Sequence, residues 1–146
     1  MSRSLQLFIP GEPKAQPRPK ARRAGKHISI YTPATAKAWK EAVMAGYKGL
    51  KVGRQVHWSK EKPLQVSLEF WMPRPKIHFL KSGLRENAPV WHQTRPDCDN
   101  LAKAVLDALQ DAQVFHEDSQ VVKLTVVKRY HEEDQVPGCL ICAFDA

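Results

Sequence analysis

The chain has 146 residues, 42% of them hydrophobic, and carries a formal net charge of +8 at pH 7. That length suits one domain over residues 1–146, and no run of 18 or more apolar residues is present, so no membrane partner is expected. Three cysteines, an odd number, and an N-terminus without a signal-peptide pattern point to a reduced cytoplasmic protein rather than a disulfide scaffold.

Ser4 to Ile9 reads as a strand, with Leu5, Leu7 and Ile9 alternating with Gln6 and Phe8, and Pro10-Gly11-Glu12-Pro13 stops it. The arm from Lys14 to Lys26 then holds six cations (Lys14, Arg18, Lys20, Arg22, Arg23 and Lys26), no acid, and prolines at 17 and 19. Such a segment resists helix formation. It is either a solvated arm or a phosphate contact, and its position between structured segments favours the second. Ile28 to Tyr31 is a short strand, the return arm of a hairpin.

Thr32-Pro33 reads as a helix start, with Thr as N-cap and Pro at the first helical position. Trp39, Ala42, Val43, Gly46, Tyr47 and Leu50 share one face of that helix. Trp39 and Tyr47 could stack on bases, but at this spacing packing in a core is the better reading. Residues 51–62 read as a polar connection. Leu64 to Met72 alternates cleanly and is a strand, with Leu64, Val66, Leu68, Phe70 and Met72 inward. Residues 73–95 are irregular, and His78 and His92 lack a ligand-like spacing, which assigns them to the surface.

The stretch Arg95-Pro96-Asp97-Cys98-Asp99-Asn100 enters a helix extended, because Pro96 disfavours helix for the residue before it. Asp99 or Asp97 serves as N-cap, and Leu101, Ala104, Val105, Ala108, Leu109 and Ala112 recur at helical spacing. Asp99, Lys103 and Asp107 follow at i, i+4 steps along one flank. A second acidic group, His116-Glu117-Asp118-Ser119-Gln120, precedes a strand from Gln120 to Tyr130 with Val122, Leu124 and Val126 on one face. Leu140 to Phe144 closes the sheet. Cys139 and Cys142 resemble half a zinc site, but packing in the last strand is the better reading.

The order β, β, α, β, α, β, β predicts an α+β fold: a mixed sheet of about five strands with two main helices packed on it, the flanking strand pairs forming hairpins. The charge is uneven along it. Residues 1–60 hold 13 Lys/Arg against 2 acidic residues, and residues 61–146 hold 10 against 13. A basic half beside an acidic patch is the composition of an anionic partner held near a metal.

Clustered carboxylates repel one another unless a cation lies between them, and hard divalent ions take oxygen ligands. An EF-hand starting at Asp97 would want a ligand at 101, Gly at 102 and Glu at 108; it finds Leu101, Ala102 and Ala108. An aspartyl nucleophile at a strand end would want an apolar strand before Asp97, and Gln93-Thr94-Arg95-Pro96 is not one. The plain alternative is that Asp97 and Asp99 cap a helix while Lys103 pairs with Asp99 or Asp107 for about 0.3–0.5 kcal/mol. The second acidic group weighs against it.

Arg95-Pro-Asp-Cys-Asp-Asn-Leu-Ala-Lys103, then Leu106-Asp107-Ala108-Leu109, then Glu117-Asp118-Ser119-Gln120-Val121-Val122, resembles the RusA family of Holliday junction resolvases. Gly11-Glu12-Pro13, Arg18-Pro19-Lys20 and Tyr31-Thr32-Pro33 match its N-terminal pattern, so the resemblance spans nearly the whole chain. It implies a homodimeric, Mg²⁺-dependent endonuclease, with Mn²⁺ as a substitute, that nicks a four-way DNA junction symmetrically in recombination and repair. It places the catalytic and metal-binding carboxylates at Asp97, Asp99 and Asp118, the active-site lysine at Lys103, and a further candidate ligand at Glu117, where the family has Asp. Cys98 falls at a variable position and is expected to be buried and inert. Lys76 and Arg95 join the arm as expected DNA contacts. A bacterial or phage-infected cytoplasm is the expected setting. The rivals are a less selective branched-DNA or flap nuclease, and a non-catalytic junction-binding protein of the same fold.

Overall fold

The computed structural model describes residues 2–146. The elements are β1 (Ser4–Pro10), β2 (Lys20–Ala24), β3 (His27–Tyr31), α1 (Lys37–Lys48), β4 (Leu64–Met72), β5 (Phe79–Leu80), β6 (Gly83–Leu84), α2 (Cys98–Asp111), β7 (Val121–Tyr130) and β8 (Gly138–Asp145). The fold is α+β, with two helices and a mixed sheet in the order β1-β8-β4-β7. Four strands form that sheet, not about five.

The missing strand is the one at Ile28, which pairs with β2 in a separate two-stranded hairpin. Its two-residue turn places Gly25 at φ +63°, a conformation that glycine adopts without a Cβ penalty. Neither flanking pair of main-sheet strands is a hairpin. β1 pairs antiparallel with β8, β8 antiparallel with β4, and β4 parallel with β7. A parallel pair needs a long crossover, and α2 lies within it, between β4 and β7.

Alternation decides which face of each strand is buried. Leu64, Val66, Leu68, Phe70 and Met72 are between 0% and 3% exposed and form the centre of the core with Leu5, Leu7, Ile9, Ile141 and Ala143. Both helices contribute to it, α1 through Trp39, Val43 and Tyr47, and α2 through Leu101, Ala104, Val105, Ala108 and Leu109. A methyl group at Gly46 would overlap the Ile9 side chain, so α1 rests closely on β1.

Several local expectations change. α1 begins at Lys37, with Ala36 at the N-cap and no side-chain cap, so Thr32-Pro33 lies outside the helix. Residues 51–62 are not merely polar connection, because Trp58 is 1% exposed and its indole Nε1 donates to Asp145 Oδ1 at 2.7 Å. In β7 the register shifts so that Val121 opposes Leu64 and Lys123 opposes Gln65. Val122 is therefore an extra residue, 63% exposed, and not on the face of Leu124 and Val126. Cys139 is buried while Cys142, three residues on, belongs to the opposite face of β8, so the two thiols do not form half a zinc site.

Candidate functional site

α2 ends in a way that turns the chain back beside it. The Val114 amide donates to Leu109 O and the Gln113 amide to Gln110 O, both at 2.9 Å, with Gln113 in the left-handed region at φ 64°. This is a Schellman closure with glutamine where glycine is commonest. Val114 and Phe115 then drop into the core, 0% and 1% exposed, and carry the acidic group to the flank of α2.

Gln120 fixes that group. Nearly buried, its Oε1 accepts from the His116 and Glu117 amides at 2.8 and 3.0 Å, and its Nε2 donates to Ser59 O and Lys62 O at 2.9 and 3.0 Å. All four hydrogen-bonding positions of the amide are used, which is what makes its burial tolerable. Glu117 and Gln120 form a reciprocal capping box on the 3-10 turn Asp118–Gln120. The Glu117 carboxylate is thus engaged with its own turn, and it also accepts from Ser119 Oγ at 3.3 Å.

Asp118, its amide held by Gln110 Oε1 at 3.1 Å, faces α2. Lys103 Nζ lies 2.9 Å from Asp118 Oδ2 and 2.9 Å from Asp107 Oδ1, a bridge between two carboxylates of different elements. Hydrogen bonds to Asp107 and Asp118 push the Lys103 ammonium above its ordinary value, and the bond from Lys103 holds the Asp118 carboxyl below the usual carboxylate range. A second cation, Lys40 of α1, is 3.9 Å from Asp107 and donates to Gln16 Oε1 at 3.3 Å.

Asp97 occupies the N-cap position of α2 in extended conformation, but its side chain makes no cap hydrogen bond. Asp99, in the first turn, accepts from the Asn100 amide at 2.9 Å. Both are exposed, and the helix dipole favours negative charge at that end. Cys98 between them is exposed as well, not buried, because the first turn of α2 projects from the core.

The basic arm is docked against this end, since the Gln16 amide donates to Asn100 O at 2.9 Å. An open cleft of about 810 Å³ follows, and Lys14, Arg18, Arg95, His92, Asp97 and Asn100 are among its walls. Of the expected DNA contacts, Lys14 also pairs with Glu12 at 3.2 Å. Lys20, Arg22 and Arg23 lie on β2, with Lys26 in the turn, all exposed, and Arg22 covers the Tyr31 ring at 5.3 Å. Lys76 sits apart on an exposed 3-10 turn. His78 and His92 are half-buried, edge-on to Tyr130 at 4.8 and 4.9 Å, rather than free on the surface. Burial lowers the pKa of both.

The donor set of Asp97, Asp99 and Asp118 is all oxygen and matches a hard dication in kind. It is not gathered into one shell. Among the described residues no group of three or more His, Cys, Asp or Glu side chains stands close enough to hold a metal ion. Asp118 is instead neutralised by Lys103. The sequence reading missed Gln16, Lys40, Gln110 and the clamp function of Gln120. Gln16 and Lys40 meet partners far off in sequence, and Gln120 reaches the carbonyls of Ser59 and Lys62 as well as its own turn, so no local pattern shows these roles.

The sequence model of the family described as endodeoxyribonuclease RusA matches residues 10–137 of this chain. A relative from Bacillus subtilis (strain 168), the "Uncharacterized protein YqaN", is 30% identical over 135 residues, which cover 90% of this chain and 92% of that protein.

Proposed function

The chain belongs to the endodeoxyribonuclease RusA family, and on that footing we propose that it resolves four-way DNA junctions by paired nicks in strands of like polarity. The observation that carries this reading is the cleft in which Lys14, Arg18 and Arg95 surround Asp97, with the arm tied to the start of α2. Cations there would hold a phosphodiester beside Asp97, and phosphate contacts set register without reading sequence.

By their oxygen chemistry Asp97, Asp99 and Asp118 would hold Mg²⁺, or Mn²⁺ in its place, once drawn together from the separate positions they occupy here. Such an ion, when bound, supplies a nucleophilic water near neutral pH and stabilises charge on the departing 3′-oxygen. Glu117 is left out of this set because its carboxylate caps its own turn. Lys103 is held by Asp107 and Asp118, which use two of its three ammonium hydrogens. The third is free for a phosphate oxygen, where it would neutralise charge developing at phosphorus. Lys20, Arg22, Arg23 and Lys26 extend the basic surface along the hairpin, and Lys76 adds a separate contact. Paired nicks need two such sites related by a two-fold axis, which a homodimer supplies.

The second reading, a less selective nuclease for flaps and forks, is favoured by the charge of the cleft, because its cations meet phosphates that three-way and four-way branches share. One experiment separates them: labelled four-way, Y-shaped and linear duplex DNA incubated with and without Mg²⁺. Symmetric paired products from the four-way substrate alone support the junction reading. Comparable cutting of the Y-shaped substrate supports the broader one, and no metal-dependent cutting of any substrate removes both.

A further inference from the structure

Four tryptophans are present, and three of them are packed into the fold. Trp39 and Trp58 are 5% and 1% exposed. Trp71 is half-buried, edge-on to Phe8 at 4.8 Å, beneath the Arg129 guanidinium at 4.9 Å, and donates to Glu69 Oε1 at 3.0 Å. Trp91 differs. It is 62% exposed, and among the described residues its ring has no aromatic, cationic or hydrogen-bonding partner.

The backbone under Trp91 is nonetheless firmly held. Trp91 forms an antiparallel bridge with Arg129, and the Tyr130 amide donates to Val90 O at 2.9 Å. Arg74 Nη1 donates to Pro89 O, and Lys128 Nζ to Pro96 O, each at 2.7 Å. The segment is therefore laid along the edge strand β7 and pinned on both sides of the indole. Its next residue, His92, is already a wall of the cleft that contains Arg95 and Asp97. A large apolar ring kept in water on a fixed support, one residue from a wall of a basic cleft, can receive a flat partner.

We propose that Trp91 stacks on an unpaired or branch-point base of DNA lying in the cleft, and that this stacking lets the site favour branched over continuous duplex. The inference rests on the nuclease reading of the cleft. Phosphates are the same in both kinds of DNA, so the cations alone discriminate little. A base face is available only where stacking is interrupted, and an aromatic side chain is the group that takes it. A second copy of the chain is the weaker occupant. Ala88, Pro89 and Val90, the last 56% exposed, make only a short apolar run before it, while Arg85, Glu86, Asn87, Gln93, Thr94 and Arg95 on either side are polar or charged. That is not the contiguous apolar patch of a stable dimer interface.

The test measures binding in chelator to a four-way junction carrying 2-aminopurine at the branch, and to a linear duplex of the same sequence. The parent, Trp91→Ala and Trp91→Phe are compared, each with its mass in solution. Trp91→Ala should lower the branched-to-linear affinity ratio about tenfold and abolish the change in 2-aminopurine emission, while Trp91→Phe retains most of both. An unchanged ratio, an equal loss on both DNAs, or a fall in oligomeric mass for Trp91→Ala would overturn the stacking proposal alone. A parent that does not prefer branched DNA would overturn it together with the reading beneath it.

Discussion

The ammonium of Lys103 and the carboxylate of Asp118, fifteen residues apart in sequence, meet at 2.9 Å across the gap between α2 and the turn that follows it. The bridge converts two acidic segments into one electrostatic unit, because Lys103 also holds Asp107 at 2.9 Å. A helical i, i+4 pair alone stabilises by about 0.3–0.5 kcal/mol, too little to account for a loss of catalysis.

Lys103→Ala is therefore expected to reduce cutting by orders of magnitude while lowering stability by at most about 1 kcal/mol, since Lys103 and Asp118 are nearly half exposed and screened. Single-turnover cutting and thermal unfolding of the same preparation check this. A parallel fall in both, or in neither, would leave Lys103 as a surface pair only.

The same ion pair sets a pH dependence in metal-free buffer. Asp118 lies below its ordinary 3.8, so its stabilisation is present above that value and is lost as pH falls through the lowered one. Lys103 lies above 10.5, so its stabilisation is present below that value and is lost as pH rises through the raised one. Chemical denaturation across pH should show a parent-minus-Lys103→Met difference that is flat between these limits and shrinks beyond both. A difference confined to neutral pH would contradict the pairing.

Glu117 tests the division between framework and chemistry. As the cap of its turn, its replacement by Ala should cost about 1 kcal/mol of stability and leave the cutting rate of folded protein near the parent's. Unfolding midpoints and cutting at saturating Mg²⁺ decide it. Normal stability with abolished cutting would make Glu117 a ligand.

The arm prediction concerns salt. Arg18 borders the cleft, while Lys20, Arg22 and Arg23 stand on the exposed hairpin. Replacing all four by Ala should weaken junction binding and reduce the slope of log affinity against log salt by about 0.9 for each DNA phosphate that is no longer neutralised. An affinity and slope equal to the parent's would show that the arm is only solvated.

Gln113 carries a strained backbone at φ 64° where α2 ends. A non-glycine residue there costs about 1–2 kcal/mol, and glycine gives back about 0.5–1 kcal/mol in chain entropy. Gln113→Gly should therefore raise stability by about 0.5–1 kcal/mol in urea unfolding, and Gln113→Val should lower it. Destabilisation by glycine would mean that the side chain, not the backbone, matters at this turn.

What could be read from sequence was whatever a local pattern determines. The alternation of Leu64 to Met72 and the helical spacing from Leu101 to Leu109 gave the right elements with the right faces inward. Strand partnership could not be read this way. The alternation in Ser4 to Ile9 says that one face is buried but not that the partner is β8, over a hundred residues away. The helix end at Gln113 carried no glycine to announce it, and Trp58 sat in a stretch too polar to advertise a core residue. At the candidate site, the i, i+4 spacing put Lys103 beside Asp107, but the clamp by Gln120 that presents Asp118 depends on the carbonyls of Ser59 and Lys62.

The central claim is that Asp97, Asp99 and Asp118 perform metal-dependent cutting of branched DNA held by the basic cleft. Its most direct measurement is Mg²⁺-dependent cutting of a four-way junction by the parent, Asp97→Asn, Asp99→Asn and Asp118→Asn, with junction affinity measured in parallel. The account predicts cutting abolished in all three variants while affinity stays equal or rises, because negative charge beside the phosphates has been removed. Full cutting by any one variant would remove that carboxylate from the site, and full cutting by all three would contradict the account.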